Sequence, residues 1–185
     1  MVVVAASAGG LAALARILSA LPATFSLPVA VVQHVDPNHQ SMVADILARR
    51  THLRVKEASS GDLLLPGAVY VAPAGQHMLI GAGLRVQLSR TDPVHFLRPS
   101  ADHLFESAAK ICGPIIGVIL TGTGTDGAAG VEAIKAAGGT VIAQDEASSE
   151  FFGMPHAAIG TGVVDFVLPL DSIGPALVTL TQRAE

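Results

Sequence analysis

Tryptophan is absent from this 185-residue sequence, and tyrosine and cysteine each occur once. So few aromatic side chains leave no stacking platform for the bases of a nucleic acid. The single cysteine, Cys112, cannot form an internal disulfide, which is typical of a protein from a reducing compartment. No run of lysine and arginine exceeds Arg49-Arg50, and the formal net charge is −4. A nucleic-acid-binding function therefore has no electrostatic support.

Long hydrophobic runs are also absent. No apolar segment reaches the roughly 18 residues that a membrane-spanning helix requires. The opening Met1–Ala6 has no basic residue and is too short for the core of a signal peptide. We therefore expect a cytoplasmic protein that does not insert into a membrane.

What the sequence does contain is an alternation of apolar, strand-length runs with helical patterns. Half of the residues are hydrophobic, which is enough for one well-filled core, so we expect a single domain over residues 1–185. The predicted strands are Val2–Ala6, Val29–Gln33, Arg54–Ala58, Ala68–Ala72, His77–Ile80, Leu84–Leu88, Ile115–Leu120 and Thr140–Ala143. The predicted helices are Leu11–Leu21, Met42–Arg50, Ala101–Ile111, Ala128–Ala137, Ser148–Ile159 and Asp171–Gln182.

This alternation predicts a three-layer α/β fold, with helices on both faces of a mostly parallel β-sheet. The Gly81-Ala82-Gly83 segment separates two of the strands and predicts an antiparallel hairpin at one edge.

Polar side chains follow three of the buried strands at the point where each ends. Ser7 follows the first strand, His34 the second, and Asp126 lies in the glycine-rich loop after the strand at Ile115–Leu120. Ligands of open parallel sheets bind at the carboxyl ends of the strands, so the hydroxyl, imidazole and carboxylate are predicted to share one edge. Together they have the chemistry of a nucleophile, a general base and the group that orients the base. Taken singly, Ser7 and Asp126 also fit helix N-caps.

Two other functions fit parts of the same sequence. Gly122, Gly124 and Gly127 match the G-x-G-x-x-G pattern of dinucleotide-binding proteins, and Asp145 follows about 20 residues later, although Asp126 puts a negative charge in that loop. Separately, His34, Asp36 and His39 form an H-x-D-x-x-H segment that suits zinc or iron, but no further ligand cluster completes such a site.

Several motifs, in order along nearly the whole chain, resemble those of the catalytic domain of chemotaxis protein-glutamate methylesterases. The most specific is the long segment Leu120–Gly130. The others are Ala6–Gly10, Gln33-His34, Leu65–Gly67, Tyr70–Pro73, His77-Met78, Arg98–Asp102, Ala143–Glu146 and Phe152–Pro155.

The resemblance implies a parallel α/β hydrolase whose catalytic triad is Ser7, His34 and Asp126. It implies hydrolysis of glutamate methyl esters on the cytoplasmic helices of chemoreceptors or similar signalling proteins, with release of methanol. Deamidation of receptor glutamines is a further activity of many such enzymes. No metal or organic cofactor is expected.

Four features depart from the pattern of that family. The family usually has glycine two residues before the serine, where this chain has Ala5, which mildly constrains the turn. The family usually has threonine at Ala8 and methionine at Thr123, and these positions with Gly124 are the predicted support of the oxyanion site. The family also typically carries an N-terminal receiver domain, whereas the catalytic pattern here starts at Val2, so no receiver domain is expected in this chain. A catalytically weak member that serves as a signalling or scaffolding module is therefore the alternative function.

Overall fold

The structure is a computed structural model that describes residues 1–35, 41–93, 97–111 and 113–182. The strands are β1 (Val2–Ala6), β2 (Val29–Gln33), β3 (Arg54–Glu57), β4 (Ala68–Val71), β5 (His77–Gly81), β6 (Arg85–Ser89), β7 (Ile116–Ile119), β8 (Thr140–Gln144) and β9 (Phe166–Leu168). The helices are α1 (Gly10–Ser19), α2 (Val43–Ala48), α3 (Ala101–Ile111), α4 (Ala128–Ala136), α5 (Gly153–Gly160) and α6 (Leu170–Gln182).

Seven strands form one parallel sheet in the order β3-β4-β2-β1-β7-β8-β9. The chain starts in the middle of this sheet at β1, and every residue of β1 is buried. Since β2 and β7 pair with β1 on its two sides, the three segments that follow these strands emerge next to one another. The predicted mostly parallel sheet is confirmed.

Helices cover both faces of the sheet, because successive side chains of each strand point to opposite faces. From β1, Val3 and Ala5 pack in the core that contains α3, α4 and α5. Val2, Val4 and Ala6 pack in the second core, with α1, α2 and α6. The predicted three-layer arrangement is confirmed. No helix among the described residues has both the length and the apolar character needed to cross a membrane.

The antiparallel hairpin is also present. Strands β5 and β6 pair with each other as a separate two-stranded sheet, and β5 packs against α3. The hairpin therefore lies beside the helical layer and does not extend the hydrogen bonding of the main sheet.

Two segments differ from the sequence prediction. The helix predicted over Ser148–Ile159 begins only at Gly153, because the Asp145 carboxylate accepts hydrogen bonds from the backbone N–H and hydroxyl of Ser148, and such local bonds favour a turn. Strand β9 is not among the predicted elements. It has three residues, pairs only with β8 at the sheet edge, and is largely exposed.

Candidate functional site

The site lies at the carboxyl edge of the sheet, where the chain leaves β1, β2 and β7. Ser7 directly follows β1 and its backbone N–H donates to the carbonyl of Thr121, after β7, at 3.0 Å. On the other side, the N–H of His34 donates to the carbonyl of Ala6 at 3.0 Å. The sheet hydrogen bonding thus continues one residue beyond the strands and fixes the backbone of Ser7 and His34.

A tight turn follows Ser7 because two glycines come next. Gly9 has a φ of 74°, a left-handed conformation that glycine adopts readily, and the N–H of Gly10 donates to the Ser7 carbonyl at 2.8 Å. A Cβ atom on Gly10 would lie 2.6 Å from the Cβ of Ala6 and would also meet the amide oxygen of Gln33. Glycine is therefore required at this point, and α1 can start three residues after the serine.

Gln33 links the serine segment to the histidine segment. Its buried side-chain N–H₂ group donates to the carbonyl of Ser7 at 2.9 Å and to the carbonyl of His34 at 3.0 Å. Sequence reasoning treats Gln33 only as part of a motif, since a side chain that bonds backbone carbonyls leaves no spacing signal.

The structure brings His34 and Asp126 together. His34 Nε2 lies 2.8 Å from Asp126 Oδ2, and the exposed fractions of the two side chains are 8% and 0%. Ser7 is half-buried and follows β1, the strand that lies between β2 and β7 in the sheet. Its hydroxyl makes no hydrogen bond within the described part of the chain.

Asp126 accepts four hydrogen bonds from residues that the structure describes. Oδ2 also accepts the N–H of Ala101 at 2.6 Å, and Oδ1 accepts the Ser100 hydroxyl at 2.8 Å and the Asp102 N–H at 3.1 Å. Burial opposes ionisation, but the bonds from His34, Ala101 and Asp102 outweigh it and lower the pKa of the Asp126 carboxyl. Asp126 is thus held as a carboxylate, and it caps α3 instead of the helix that it precedes.

Asp102, in the first turn of α3, is a buried carboxyl beside the site, and the sequence indicates it only as the last residue of the Arg98–Asp102 motif. Its Oδ1 accepts the N–H of Gly127 at 2.9 Å and the N–H of Gly130 at 2.7 Å, both at the start of α4. Burial and the nearby Asp126 charge raise the pKa of Asp102 to about 6, against the opposing effect of the two N–H donors.

The loop after β7 lies against the serine. A Cβ on Gly122 would be 2.7 Å from the Cβ of Ser7, so only glycine permits this approach. Thr123 and Gly124 in the same loop are exposed, and Gly124 has a φ of 85°. Among the described residues, the backbone N–H groups of Ala8, Thr123 and Gly124 have no hydrogen-bond acceptor. These donors are available to a ligand at this edge.

The geometry of the described residues does not support the dinucleotide-binding or the metal-binding alternative. A pyrophosphate would bind the N–H groups at the start of α4, but those of Gly127 and Gly130 already donate to Asp102, next to a second carboxylate. In the metal-binding alternative, Asp36 and His39 lie outside the described residues. Within the described ranges, no group of three or more histidine, cysteine or acidic side chains could hold a metal ion.

A parallel α/β domain with a serine, a histidine–carboxylate pair and free backbone donors on one sheet edge has the organisation of a serine hydrolase. The chain matches the family model described as CheB methylesterase over residues 2–177. It belongs to that family.

Named relatives and a solved structure agree with this assignment. A protein-glutamate methylesterase/protein-glutamine glutaminase 2 of Anaeromyxobacter dehalogenans is 48% identical over 98% of this chain and 53% of its own length. One of the same name from Caulobacter vibrioides is 44% identical over 94% of this chain and 52% of its own length. The crystal structure of the Thermotoga maritima CheB methylesterase catalytic domain superposes with a TM-score of 0.93, at 40% identity and 97% coverage of both chains. The chain spans about half the length of the curated relatives it matches.

Proposed function

We propose that this chain is a serine esterase that hydrolyses methyl esters of glutamate side chains in proteins. Ser7 is the nucleophile, His34 the general base and Asp126 the group that orients the histidine. The observation that carries the proposal is the 2.8 Å contact between His34 Nε2 and Asp126 Oδ2, next to the turn that presents Ser7. The names of the relatives support the same activity, and deamidation of glutamine as a second one.

The proposed reaction uses the other ring nitrogen of His34. Because Nε2–H donates to the Asp126 carboxylate, Nδ1 carries the lone pair that removes the proton from the Ser7 hydroxyl. Ser7 Oγ then forms a bond to the ester carbonyl carbon. The imidazolium returns the proton to the departing methoxy group, which leaves as methanol. The same histidine then removes a proton from water, and the water oxygen forms a bond to the acyl carbon. The bond from that carbon to Ser7 Oγ breaks, and the imidazolium returns the proton to Ser7 Oγ, which releases glutamate and regenerates the serine. With a glutamine substrate, ammonia leaves in place of methanol.

The backbone N–H groups of Ala8, Thr123 and Gly124 are the proposed donors to the tetrahedral oxyanion. They belong to the residue after the nucleophile and to the exposed loop after β7, and they have no acceptor among the described residues. Backbone donors do not depend on the side chain. Alanine at position 8 and threonine at position 123 are therefore compatible with activity.

The proposed substrate protein is the helical cytoplasmic region of a methylated chemoreceptor or a similar signalling protein, and the proposed location is the cytoplasm. The relatives' names specify a methyl ester of a glutamate in a protein, which supports a methylated protein as the substrate.

The test is the release of labelled methanol from radiomethylated receptor membranes by the protein and its Ser7→Ala variant. We expect Ser7→Ala to remain folded and to lose on the order of 10⁴–10⁶ in kcat. Ser19→Ala is the matched control, since Ser19 lies at the far end of α1 and its hydroxyl donates to the Arg16 carbonyl. A fluorophosphonate probe, located by mass spectrometry, should label Ser7 in the unmodified protein. Normal turnover by folded Ser7→Ala would refute the proposal, and receptor binding without turnover by the unmodified protein would favour a scaffolding role.

A further inference from the structure

We propose that Asp102 is a positioning residue of this site, which holds the Asp126 carboxylate in the orientation that meets His34 by accepting hydrogen bonds from the start of α4. This inference deepens the hydrolase function proposed above and rests on it.

Asp102 acts on the backbone that carries Asp126. The N–H of Gly127, which donates to Asp102 Oδ1 at 2.9 Å, belongs to the peptide unit formed with the Asp126 carbonyl. The N–H of Gly130 donates to the same oxygen at 2.7 Å and fixes the first turn of α4. Gly127 has a φ of 102°, a conformation that glycine adopts readily. Its bond to Asp102 therefore fixes the start of α4 together with the Ala128 N–H, which donates to the Thr125 carbonyl at 3.2 Å.

The backbone at the start of α3 in turn donates to the Asp126 carboxylate. The N–H of Asp102 donates to Asp126 Oδ1 at 3.1 Å, and the N–H of Ala101 donates to Asp126 Oδ2 at 2.6 Å. Asp126 therefore caps α3, the helix that contains Asp102, and Asp102 caps α4, the helix that follows Asp126. Asp102 and Asp126 are 5% and 1% exposed, so their donors have little access to water as a replacement acceptor.

These contacts require Asp102 to accept hydrogen bonds, and they do not require its negative charge. Both N–H groups donate to one oxygen, and the side-chain oxygen of an asparagine accepts bonds in the same way. The charge itself is unfavourable, because burial and the neighbouring Asp126 raise the pKa of Asp102 to about 6. An asparagine at this position should therefore preserve the function, and an alanine should not.

The experiment compares Asp102→Ala and Asp102→Asn in the full chain, with radiomethylated receptor membranes as substrate. We expect Asp102→Ala to lower kcat by about 10- to 100-fold while KM changes less than about threefold, since a shift of about 1 Å in a catalytic group has effects of this size. Asp102→Asn should keep kcat within about threefold of the unmodified protein. The NMR signal of the His34 Nε2 proton should broaden or shift in Asp102→Ala and persist in Asp102→Asn.

Asp165→Ala separates positioning from a general loss of stability. The Asp165 carboxylate also accepts a backbone N–H, from Val141 at 2.8 Å, and pairs with Lys135, but it lies near the amino end of β8, away from the site. This variant should melt at a lower temperature with kcat unchanged. If Asp102→Ala does not fold, Asp102→Glu, which moves the oxygens by one methylene, gives the same kcat comparison.

Two results would overturn the inference. One is an unchanged kcat and an unchanged His34 proton signal in Asp102→Ala, or in Asp102→Glu where it replaces that variant. The other is a loss in Asp102→Asn as large as that in Asp102→Ala, which would assign the role to charge. Failure of the hydrolase proposal is recognised separately, because Ser7→Ala would then retain activity.

Discussion

His34 Nε2 and Asp126 Oδ2 are 2.8 Å apart, and this contact determines which ring nitrogen of the histidine can act as a base. Hydrogen bonds keep the pKa of the Asp126 carboxyl below its usual range in spite of its burial, so the carboxylate accepts and Nε2–H donates. Nδ1 is then the unprotonated nitrogen of the neutral ring. Three further donors, the Ser100 hydroxyl and the backbone N–H groups of Ala101 and Asp102, hold the Asp126 carboxylate, so this tautomer is a property of the fold and not of the substrate.

Asp126→Asn should impair both the reaction and the fold. An amide cannot fix the histidine tautomer, and we expect a loss of about 10⁴ in kcat. Each oxygen of Asp126 accepts one backbone N–H, from Ala101 or from Asp102, so the amide nitrogen would face a fixed donor in either orientation, at a cost of roughly 1–3 kcal/mol in the free energy of unfolding. Methanol release and urea unfolding measure the two effects.

The control for Asp126→Asn is Asp62→Asn, which removes a partly exposed ion pair with Lys56. It should change the free energy of unfolding by less than about 1 kcal/mol and leave kcat unchanged. An Asp126→Asn protein with full activity would contradict the assigned role of the carboxylate.

The alternation of apolar, strand-length runs with helical patterns is sufficient to predict the sheet and the position of the candidate site. Buried strands in parallel order place their carboxyl ends together, so the sequence alone predicts Ser7, His34 and Asp126 at one edge. Gln33 and Asp102 could not be found in this way. Each acts by bonding backbone groups of a segment more than 20 residues away, and such bonds leave no periodicity in the sequence.

Hydrogen bonds between side chains and the nearby backbone explain why α5 begins at Gly153 and not at the predicted Ser148. In the segment after β8, the backbone N–H and hydroxyl of Ser148 donate to the Asp145 carboxylate, and the Phe151 N–H donates to the Thr121 hydroxyl at 2.8 Å. These side-chain contacts with the backbone delay α5 until Gly153. They also bring this segment next to the loop after β7.

Gly10→Ala should disturb the serine turn. The new methyl group would lie 2.6 Å from the Cβ of Ala6 and displace the Gln33 amide, which bonds the Ser7 carbonyl. We expect a loss of roughly 1–3 kcal/mol in the free energy of unfolding, together with a lower kcat. Gly160→Ala is the matched control, since a Cβ on this helical residue of α5 meets nothing within 4 Å. A Gly10→Ala protein as stable and active as Gly160→Ala would show that the turn tolerates a side chain.

Asp102→Asn should change how stability depends on pH. The folded-state pKa of Asp102 is raised from 3.8 to about 6, so between these values the folded chain keeps a proton that the unfolded chain releases. The free energy of unfolding therefore falls as pH rises through this window, by up to about 3 kcal/mol from this group. Asparagine does not titrate, so the unmodified protein should lose stability relative to Asp102→Asn between pH 4 and pH 7. Urea unfolding at a series of pH values measures the difference.

Asp165→Asn provides a control of opposite sign. Burial opposes ionisation of Asp165, but the Lys135 contact and the Val141 N–H outweigh it and lower the pKa of the Asp165 carboxyl. The stability that the Asp165 carboxylate contributes is therefore present above its unfolded-state pKa and is lost as pH falls through its folded-state pKa. Relative to Asp165→Asn, the unmodified protein should therefore gain stability as pH rises from acid. Parallel pH curves for the unmodified protein and Asp102→Asn would mean that the Asp102 carboxyl titrates near its ordinary value, in spite of its burial beside Asp126.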